Sequence, residues 1–465
     1  MQTPIDSLLR QQAHQGQVRF CMPGHKGLLG HRDITEAGDM DNLLHPQGAL
    51  WEAQALLAEA YGAGQAWFGT CGSTMGNYAL ILSCARENDL ILLASDCHIS
   101  AVHAALLAHY RVSLISCDET AQGLPQPLSC QKAAEALSAH PEAKALVMTS
   151  PNYYGLCADI PAIAALCRKK NVALLVDAAH GAHFGFSPLL PAQPVQADGW
   201  VVSAHKTLCV SNQGSMIFRG KESRLDAFRL EENIHRFQST SPSWPLLAQM
   251  DTARARLCAQ GEADYQRLAH LINAFQTELC RRSPVRCIQA GPHQKDFSRL
   301  VLDVSGLGLS GFAVSEQLSQ QGIWVEMADA SHLVLICTPQ DTPQNFSFLQ
   351  KALSSIPATG DTAPLAPPMP GRSGEIIAPA SVEYGTIRTI SISQAAGHIS
   401  ARAVCCYPPG TAVLCPGERI TSRQVEYLEA MHRLGASISG TAPSEGCPLS
   451  VSYTHLDVYK RQLEN

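Results

Sequence analysis

From about residue 60 to residue 220, short apolar runs alternate with stretches whose apolar residues recur at helical spacing. This alternation constrains the fold most, because parallel strands need long crossover connections, which are usually helices. It predicts an α/β fold with a mostly parallel sheet covered by helices on both faces. The predicted strands are Asp89–Ala94, Val112–Ser116, Ala145–Thr149, Val172–Asp177, Gly199–Ser203 and Ser215–Arg219.

A second α/β unit is predicted downstream. It follows a polar, helix-rich bridge from about Asp251 to Arg282. Its predicted strands are Ser298–Val304, Gly322–Met327 and His332–Cys337, with a helix over Ser310–Gln321 between the first two. The chain is longer than a single core usually supports, so more than one domain is expected.

The C-terminal part of the chain changes character twice. Ala358–Ser373 is rich in Pro and Gly and is interpreted as a linker. A small third domain is predicted over Ala378–Gly440, with turns at Tyr407–Gly410 and Cys415–Gly417. The stretch Ser452–Asn465 turns polar and aromatic and continues no earlier pattern, so it is interpreted as a non-native tail outside the fold.

Composition excludes several classes of protein. The net charge is −6 and only 16% of residues are charged, which argues against a general affinity for nucleic acid. No apolar run reaches the roughly 18 to 20 residues of a membrane-spanning helix, so no membrane partner is predicted. The 17 cysteines are dispersed and no Cys-x-x-Cys pair occurs, which predicts reduced thiols in a cytoplasmic protein and no metal site.

Two residues at predicted strand ends indicate a specific chemistry. Asp177 ends one predicted strand, and Lys206 follows another in the run Ser203-Ala204-His205-Lys206. A lysine amine can form a Schiff base with the aldehyde of pyridoxal phosphate (PLP), and a carboxylate can keep the pyridine nitrogen of that cofactor protonated. The apolar residues around Lys206 predict a depressed amine pKa, which makes the neutral nucleophile available.

A glycine-rich turn, Gly69–Asn77, precedes an apolar helical run. Small and hydroxyl residues at a helix start, here Ser73 and Thr74, offer donors and the positive end of a helix dipole to a phosphate. The turn lacks the Gly-Lys-Ser/Thr ending of a P-loop, which disfavours ATP. An ordinary glycine turn with a helix cap is the alternative interpretation.

Two histidines are further candidates. His98 follows a predicted strand and can stack on a flat cofactor ring, although a lone histidine is more often a surface or core residue. His180 comes three positions after Asp177 and can support that carboxylate or line the pocket. Both histidines become site candidates only because the predicted strand ends place them near Lys206 and Asp177.

At these residues the chain resembles the bacterial ornithine/lysine/arginine decarboxylase family, PLP enzymes of the aspartate-aminotransferase-like fold. The resemblance covers most of the chain. Its markers are Pro23–Gly27, the Gly-Ser-Thr turn, Ser150–Gly155, Asp177–Phe186, Ser203–Lys206, Ser239–Ser243, Tyr407–Gly410 and Pro416–Arg419.

The resemblance implies a division of the chain into domains. Residues 1–250 would form the N-terminal segment and a PLP-binding large domain of fold type I, and residues 251–357 a smaller α/β domain. A linker over 358–377 would lead to a C-terminal α+β domain over 378–449, followed by the tail at 450–465.

The resemblance also implies residue roles. Lys206 would carry the cofactor, Asp177 would pair with the pyridine nitrogen and His98 would stack on the ring. Phosphate-binding residues would be Ser73 and Thr74 together with Ser203 or His205, and His180 would be a further cofactor contact. Ser239, Thr240 and Ser241 would reach the cofactor of a neighbouring subunit, which implies a homodimer or a larger even-numbered assembly.

The sequence departs from the family pattern at Ala178, where a glutamate is common, and at Ile99, where a lysine is common. The implied activity is decarboxylation of arginine, lysine or ornithine to the amine and CO₂, as in polyamine metabolism. The alternatives are an aminotransferase or another PLP lyase on the same fold, or a catalytically silent PLP-binding homologue. Glu326 and Asp329 are candidates for binding the distal cation of the substrate, against the alternative that they are ordinary surface acids.

Overall fold

The computed structural model of the chain describes residues 1–13, 18–30, 32–120, 123–289, 294–371, 375–376, 382, 387–407, 410–444 and 447–454. The helices are α1 (Pro4–Ala13), α2 (Ala49–Ala60), α3 (Gly72–Cys84), α4 (Ile99–Leu107), α5 (Cys130–Ala139), α6 (Ile160–Lys169), α7 (Ala204–Thr207), α8 (Ala227–Phe237), α9 (Trp244–Arg282), α10 (Gly311–Gln320), α11 (Pro343–Ser355) and α12 (Ser422–Arg433). Short 3₁₀ turns lie at Ser305–Leu307 and Ile392–Gln394.

The strands complete the set of elements. They are β1 (Gln65–Gly69), β2 (Leu90–Ala94), β3 (Arg111–Ile115), β4 (Ala145–Thr149), β5 (Ala173–Asp177), β6 (Gly199–Ser203), β7 (Ser215–Arg219), β8 (Arg286–Cys287), β9 (Arg299–Asp303), β10 (Met327–Ala328), β11 (His332–Ile336), β12 (Glu375–Ile376), β13 (Ile387–Ser391), β14 (Ile399–Ser400), β15 (Val404–Tyr407), β16 (Thr411–Leu414), β17 (Ser437–Ser439), β18 (Ala442–Ser444) and β19 (Cys447–Thr454).

The large domain is built on an 8-stranded sheet in the order β1-β7-β6-β5-β4-β2-β3-β12. The central strands β3, β2, β4, β5 and β6 pair in parallel, whereas β7 is antiparallel to both its neighbours and β12 is antiparallel to β3. Every residue of β2, β4, β5 and β6 is buried, because helices cover both faces of the sheet. The predicted fold class, with its mostly parallel sheet, is confirmed.

Helix α9 connects the large domain to the small one. Its first turns, around Trp244 and Leu247, belong to the core of the large domain, and its later turns, around Leu268 and Leu279, belong to the core of the small domain. The predicted bridge begins too late at Asp251, because Pro245 lies in the first turn of the helix, where its fixed φ is compatible with helix.

The small domain contains a 4-stranded antiparallel sheet in the order β10-β11-β9-β8. The predicted strand Gly322–Met327 is wrong for most of its length. Gly322 has a φ of +81° and ends α10 in a left-handed turn, in which the Ile323 N–H donates to the Leu318 carbonyl at 2.9 Å. The chain therefore pairs as a strand only at Met327 and Ala328.

The third domain packs against the large domain. Its strands form two small antiparallel sheets, β13-β19-β14 with β18 paired to β19, and β16-β15-β17, and α12 completes its own core. Cys405, Ala412 and Cys415 nevertheless belong to the core cluster of the large domain. Within the predicted Tyr407–Gly410 turn, residues 408–409 lie outside the described residues.

Two expectations about the C-terminal half need correction. Leu365–Gly371, within the predicted linker, packs along the large domain, where the Met369 N–H donates to Glu119. The predicted tail boundary at residue 450 is also wrong, because Ser450–Thr454 pair with β13 as part of β19, and Val451 is fully buried. Residues 455–465, and the predicted linker boundary at residues 377–378, lie outside the described residues.

Candidate active site

A cavity of about 910 Å³ lies at the carboxyl ends of β2, β4, β5 and β6. Open α/β sheets bind ligands at this edge, and the volume falls within the roughly 300–1,000 Å³ range of small-molecule sites. The predicted site residues that line the cavity are Ser73, Thr74, His98, Asp177, His180, Ser203, His205 and Lys206. Side chains of the small and third domains, among them Asp329, His332, Thr411, Tyr427 and Met431, line the remaining wall.

Lys206 lies in α7, a single helical turn that begins where β6 ends. The Ala204 N–H donates to the Gly214 carbonyl at 2.9 Å, which ties this turn to the loop before β7. The Nζ atom of Lys206 lies 3.1 Å from Nε2 of His180. Burial lowers the pKa of Lys206, and the charge of Arg299 lowers it further against the opposing effect of Asp177.

Asp177 ends β5 and is 6% exposed. One carboxylate oxygen accepts a hydrogen bond from Nδ2 of Asn77 at 2.8 Å, and the other accepts from the Ala179 N–H at 3.0 Å. Each oxygen has two lone pairs and accepts one of these hydrogen bonds from the described residues. The carboxylate is therefore oriented while retaining capacity for another donor in the cavity.

His98 belongs to the same hydrogen-bond network. Asn77 also donates to the Ser100 hydroxyl at 2.9 Å, and that hydroxyl lies 2.9 Å from Nδ1 of His98. The Ser100 backbone N–H donates to the same Nδ1 at 3.2 Å, so this ring nitrogen is an acceptor. Burial lowers the pKa of His98, which favours the neutral ring. Because Nδ1 is an acceptor, the single ring proton lies on Nε2.

The glycine-rich turn forms a polar corner of the cavity at the start of α3. Gly72 has a φ of +75°, and a Cβ atom there would meet nothing within 4 Å, which leaves open space beside Ser73 and Thr74. The Ser203 hydroxyl donates to the Ser73 hydroxyl at 2.7 Å. Nδ1 of His205 donates to the Gly214 carbonyl at 3.0 Å, which leaves Nε2 as the ring nitrogen for a ligand.

The residues expected to reach a neighbouring subunit lie apart from this cavity. Ser239, Thr240 and Ser241 are exposed and are not among the cavity-lining residues. They follow Gln238, which donates to the Thr70 hydroxyl at 2.7 Å beside the glycine-rich turn. Their predicted role in another subunit stays a prediction.

The two acidic candidates for substrate binding separate in the structure. Asp329 lines the cavity, where it accepts a hydrogen bond from the Tyr154 hydroxyl at 2.7 Å and contacts Nδ1 of His332 at 3.2 Å. Burial would raise the pKa of Asp329, but His332 and Tyr154 together lower it. Glu326 instead binds the Tyr153 hydroxyl and is not among the lining residues.

Sequence reasoning missed three residues that hold the predicted side chains in place. Asn77 and Ser100 join Asp177 to His98, and Arg299 donates from Nη2 to Nδ1 of His180 at 2.9 Å. The signal for Asn77 was a polar residue at the head of an apolar helical run, because a buried amide needs partners. Arg299 gave no such signal, since its contact with His180 spans 119 residues of sequence.

The residues present fit pyridoxal phosphate. The cavity joins a lysine amine of lowered pKa, an oriented strand-end carboxylate and a hydroxyl-rich helix start with open space at Gly72. These groups match the aldehyde, the pyridine nitrogen and the phosphate of that cofactor. In the described part of the chain, no group of three or more His, Cys, Asp or Glu side chains is arranged to hold a metal ion.

The fold and this site define an enzyme of the PLP-dependent fold type I class. The family model described as the Orn/Lys/Arg decarboxylase major domain matches residues 28–295, and the model of the family's C-terminal domain matches residues 377–444. The chain therefore belongs to the Orn/Lys/Arg decarboxylase family, as its motifs predict. Its enzyme class is that of the PLP-dependent amino acid decarboxylases.

Relatives and solved structures agree with this membership. The chain is 30% identical over 479 residues to the uncharacterized protein YaaO of Bacillus subtilis, covering 95% of this chain and 96% of the relative. It is 28% identical over 468 residues to an arginine decarboxylase of Halalkalibacterium halodurans, covering 94% of this chain and 95% of the relative. The lysine decarboxylase LdcF of Francisella novicida has the same fold, with a TM-score of 0.84, 17% identity and coverage of 97% of this chain and 81% of that one.

Proposed function

We propose that the protein removes the α-carboxylate of arginine, lysine or ornithine as CO₂, with pyridoxal phosphate bound at Lys206. The observation that carries this proposal is the meeting of Lys206 and Asp177 in one cavity, at the carboxyl ends of adjacent parallel strands. Family membership supports basic amino acid decarboxylation as the reaction.

The side chains of the cavity divide the chemical work. Pyridoxal phosphate, when bound, supplies a ring that accepts the electron pair left at the substrate Cα when CO₂ departs. Asp177 offers an oriented anion to the protonated pyridine nitrogen. Neutral Lys206 is the nucleophile for the cofactor aldehyde, and we assign the return of a proton to the substrate Cα to Lys206 Nζ or to His98.

The phosphate and the substrate side chain would bind at different ends of the cavity. Ser73 and Thr74, with Ser203 and Nε2 of His205, are the donors we assign to the phosphate. Asp329 is the acid we assign to the distal ammonium or guanidinium of the substrate, because it lines the cavity whereas Glu326 does not. A basic side chain would find a charge of opposite sign there.

The test is to incubate the PLP-loaded protein with arginine, lysine and ornithine separately and to identify agmatine, cadaverine, putrescine and CO₂. Lys206→Ala is expected to lose both turnover and the visible absorbance of covalently bound cofactor. Asp177→Ala is expected to keep part of the cofactor and lose most turnover, because the electron-accepting ring loses its anion. Lys170→Ala, at an exposed lysine after α6, is the control and should behave as wild type.

Other outcomes of the same assay identify the alternatives. A keto acid in place of an amine and CO₂ would indicate an aminotransferase. A coloured protein that yields no product from any of the three amino acids would indicate a silent homologue. An unchanged spectrum in Lys206→Ala would remove this lysine from the proposal.

The amine product would place the enzyme in polyamine-type metabolism, in the cytoplasm, and the active unit would be a homodimer or a larger even-numbered assembly. The dispersed cysteines, which are free thiols wherever the structure describes their side chains, support a reducing compartment. Among the described helices, none combines the length and apolarity needed to cross a membrane.

A further inference from the structure

Arg299 is a buried arginine behind the cavity wall. It begins β9 in the small domain, is 1% exposed and donates from Nη2 to Nδ1 of His180 at 2.9 Å. Its Nε and Nη1 atoms have no hydrogen-bond partner among the described residues. The nearby acids are Asp296 and Glu326, whose charges favour the guanidinium against the effect of burial, while its hydrogen bond goes to an imidazole.

This contact fixes the tautomer of His180. A guanidinium has donors and no acceptor, so the Nδ1 atom that it faces must hold a lone pair. An imidazolium would place one N–H against another. His180 is therefore neutral with its proton on Nε2, and burial, with the charges of Lys206 and Arg299, lowers its pKa in agreement.

The tautomer in turn constrains Lys206. The Nε2–H of His180 faces Nζ of Lys206 at 3.1 Å. An ammonium group offers only donors, so this contact is a hydrogen bond only when Nζ is a neutral amine with a lone pair. The rings of Tyr153 and His180 pack edge to face with their centroids 4.7 Å apart, which supports the orientation of the imidazole.

We propose that Arg299 is a positioning residue, which holds His180 in the Nε2–H tautomer and through it keeps Lys206 in the neutral form that attacks the cofactor aldehyde. This inference deepens the proposed function and rests on Lys206 being the cofactor-binding lysine. Arg299 itself does not line the cavity. It would act through the imidazole.

Other charges also face these two groups. Asp177 and Glu326 favour the ammonium form of Lys206, whereas Arg299 disfavours it. His98 and His205 face His180 in addition to Lys206 and Arg299. Burial and the charge of Arg299 oppose these acids, and the Nε2–H of His180 opposes them by hydrogen bonding to the neutral amine, so removal of that donor should be measurable.

The first experiment measures covalent capture of pyridoxal phosphate by the cofactor-free protein as a function of pH, from the visible absorbance. The rate rises with pH as Lys206 loses its proton. In Arg299→Met, His180 is free to turn its lone pair toward an ammonium and the repulsive charge of Arg299 is also lost. Both changes raise the midpoint, which is expected to rise by about one pH unit in total, and capture at pH 7 is expected to slow about tenfold. Arg299→Lys keeps a cationic donor and should retain a midpoint near that of wild type.

Arg254→Met is the matched control. Arg254 is also a buried arginine, 3% exposed, but it pairs with Asp251 and does not line the cavity. Its loss should leave the midpoint unchanged even if it lowers stability. A midpoint in Arg299→Met equal to that of wild type would overturn the proposal.

The second measurement keeps the proposal testable if Arg299→Met does not fold. Imidazole ¹⁵N spectra of the unmodified protein, with His180→Gln used only to assign the signal, report which ring nitrogen carries the proton. A protonated Nε2 and an unprotonated Nδ1 are expected, and a proton on Nδ1 would overturn the inference. Failure of the wild-type protein to capture the cofactor would instead count against the proposed function.

Discussion

Asp96 lies in the cavity wall, and both of its carboxylate oxygens are buried. Burial raises the pKa of Asp96 to about 7, against the opposing effect of a hydrogen bond with Cys117, and the nearby charge of Asp177 adds to the rise. Between the unfolded pKa of about 4 and this value, the folded protein holds a proton that the unfolded chain releases. Stability is therefore lost as pH rises through this window.

Asp96→Asn should remove the loss of stability that accompanies ionisation of this buried carboxyl group. We expect the variant to match wild type near pH 4 and to be more stable at pH 8 by about 1 to 4 kcal/mol, since each pKa unit corresponds to about 1.4 kcal/mol. Thermal or urea unfolding at both pH values provides the measurement. Equal stability differences at pH 4 and pH 8 would contradict the assignment.

Asn77 is the residue that joins Asp177 to the His98 network. Asn77→Leu keeps the size of the side chain and removes both donors, so Asp177 and Ser100 each lose a hydrogen bond. We expect kcat to fall about tenfold or more, because a misoriented buried acceptor costs about 1 to 3 kcal/mol. Cofactor capture at Lys206 should persist, and steady-state kinetics together with the absorbance separate the two effects.

Asn233→Leu is the matched control for that change. Asn233 is 2% exposed and donates to the hydroxyl of Ser83, so it too is a buried asparagine that donates to a serine hydroxyl. It does not line the cavity. A comparable loss of kcat in both variants would mean that the effect of Asn77 is one of stability alone.

Individual residues were predictable where the local sequence carried their chemistry. Asp177 ends one apolar strand and Lys206 comes shortly after another, so the strand pattern was enough to place both side chains at the same edge of the sheet. Arg299 follows Ser298 without any local motif. Its significance depends on His180 being folded against it, and no periodicity reports a pair so distant in the chain.

At the scale of elements, α3 carries the glycine-rich turn and packs directly on the sheet. A Cβ at Gly76 would lie 2.5 Å from Cγ2 of Val201 and 2.9 Å from Cγ1 of Ile217. Because these side chains are fully buried, neither can move aside without disturbing β6 or β7. The glycine therefore sets how closely the start of α3 approaches the cavity.

Gly76→Ala should displace α3 from the sheet. We expect a loss of about 1 to 3 kcal/mol in unfolding free energy from overpacking, together with weaker binding of pyridoxal phosphate as Ser73 and Thr74 shift. Equilibrium dialysis and thermal unfolding measure the two effects. Gly24→Ala is the control, since a Cβ there meets nothing within 4 Å, and wild-type affinity in Gly76→Ala would contradict the argument.

Elements were predicted best where the apolar run was continuous and buried on both faces, as in β4 and β6, whose bounds agree with the prediction. The error at Gly322–Met327 has the opposite cause. Ile323 and Val325 satisfy a strand pattern, but Gly322 takes a left-handed conformation that ends α10. The residues that follow form the turn that leads into the short strand β10. Local propensity there yields to helix termination.

At the scale of the whole molecule, three regions build one cavity. The backbone of His98 in the large domain forms an antiparallel bridge with Thr411 of the third domain, and Asp329 comes from the small domain. The sequence predicted the three regions but not that all three line one cavity. Composition indicates where a linker lies in the chain, but it does not indicate where the linker runs in the fold. Leu365–Gly371 shows this, since the predicted linker itself lines the cavity.

A further level of assembly is predicted from Ser239, Thr240 and Ser241, which are exposed and lie outside the cavity of their own chain. If they complete the site of a second subunit, a variant with all three changed to Ala should lose most turnover while its Lys206 remains intact. Mixing it with Lys206→Ala then creates dimers in which one site has both a functional lysine and a functional serine-threonine loop.

Random exchange at equal amounts makes half of the dimers mixed, each with one working site, so about a quarter of wild-type activity should return. Each parent variant alone has none of these complete sites. The measurement is turnover before and after co-refolding, with the dimer mass checked by analytical ultracentrifugation. If the loop served its own chain, the mixed dimers would contain no complete site, and activity would stay at the sum of the two parents.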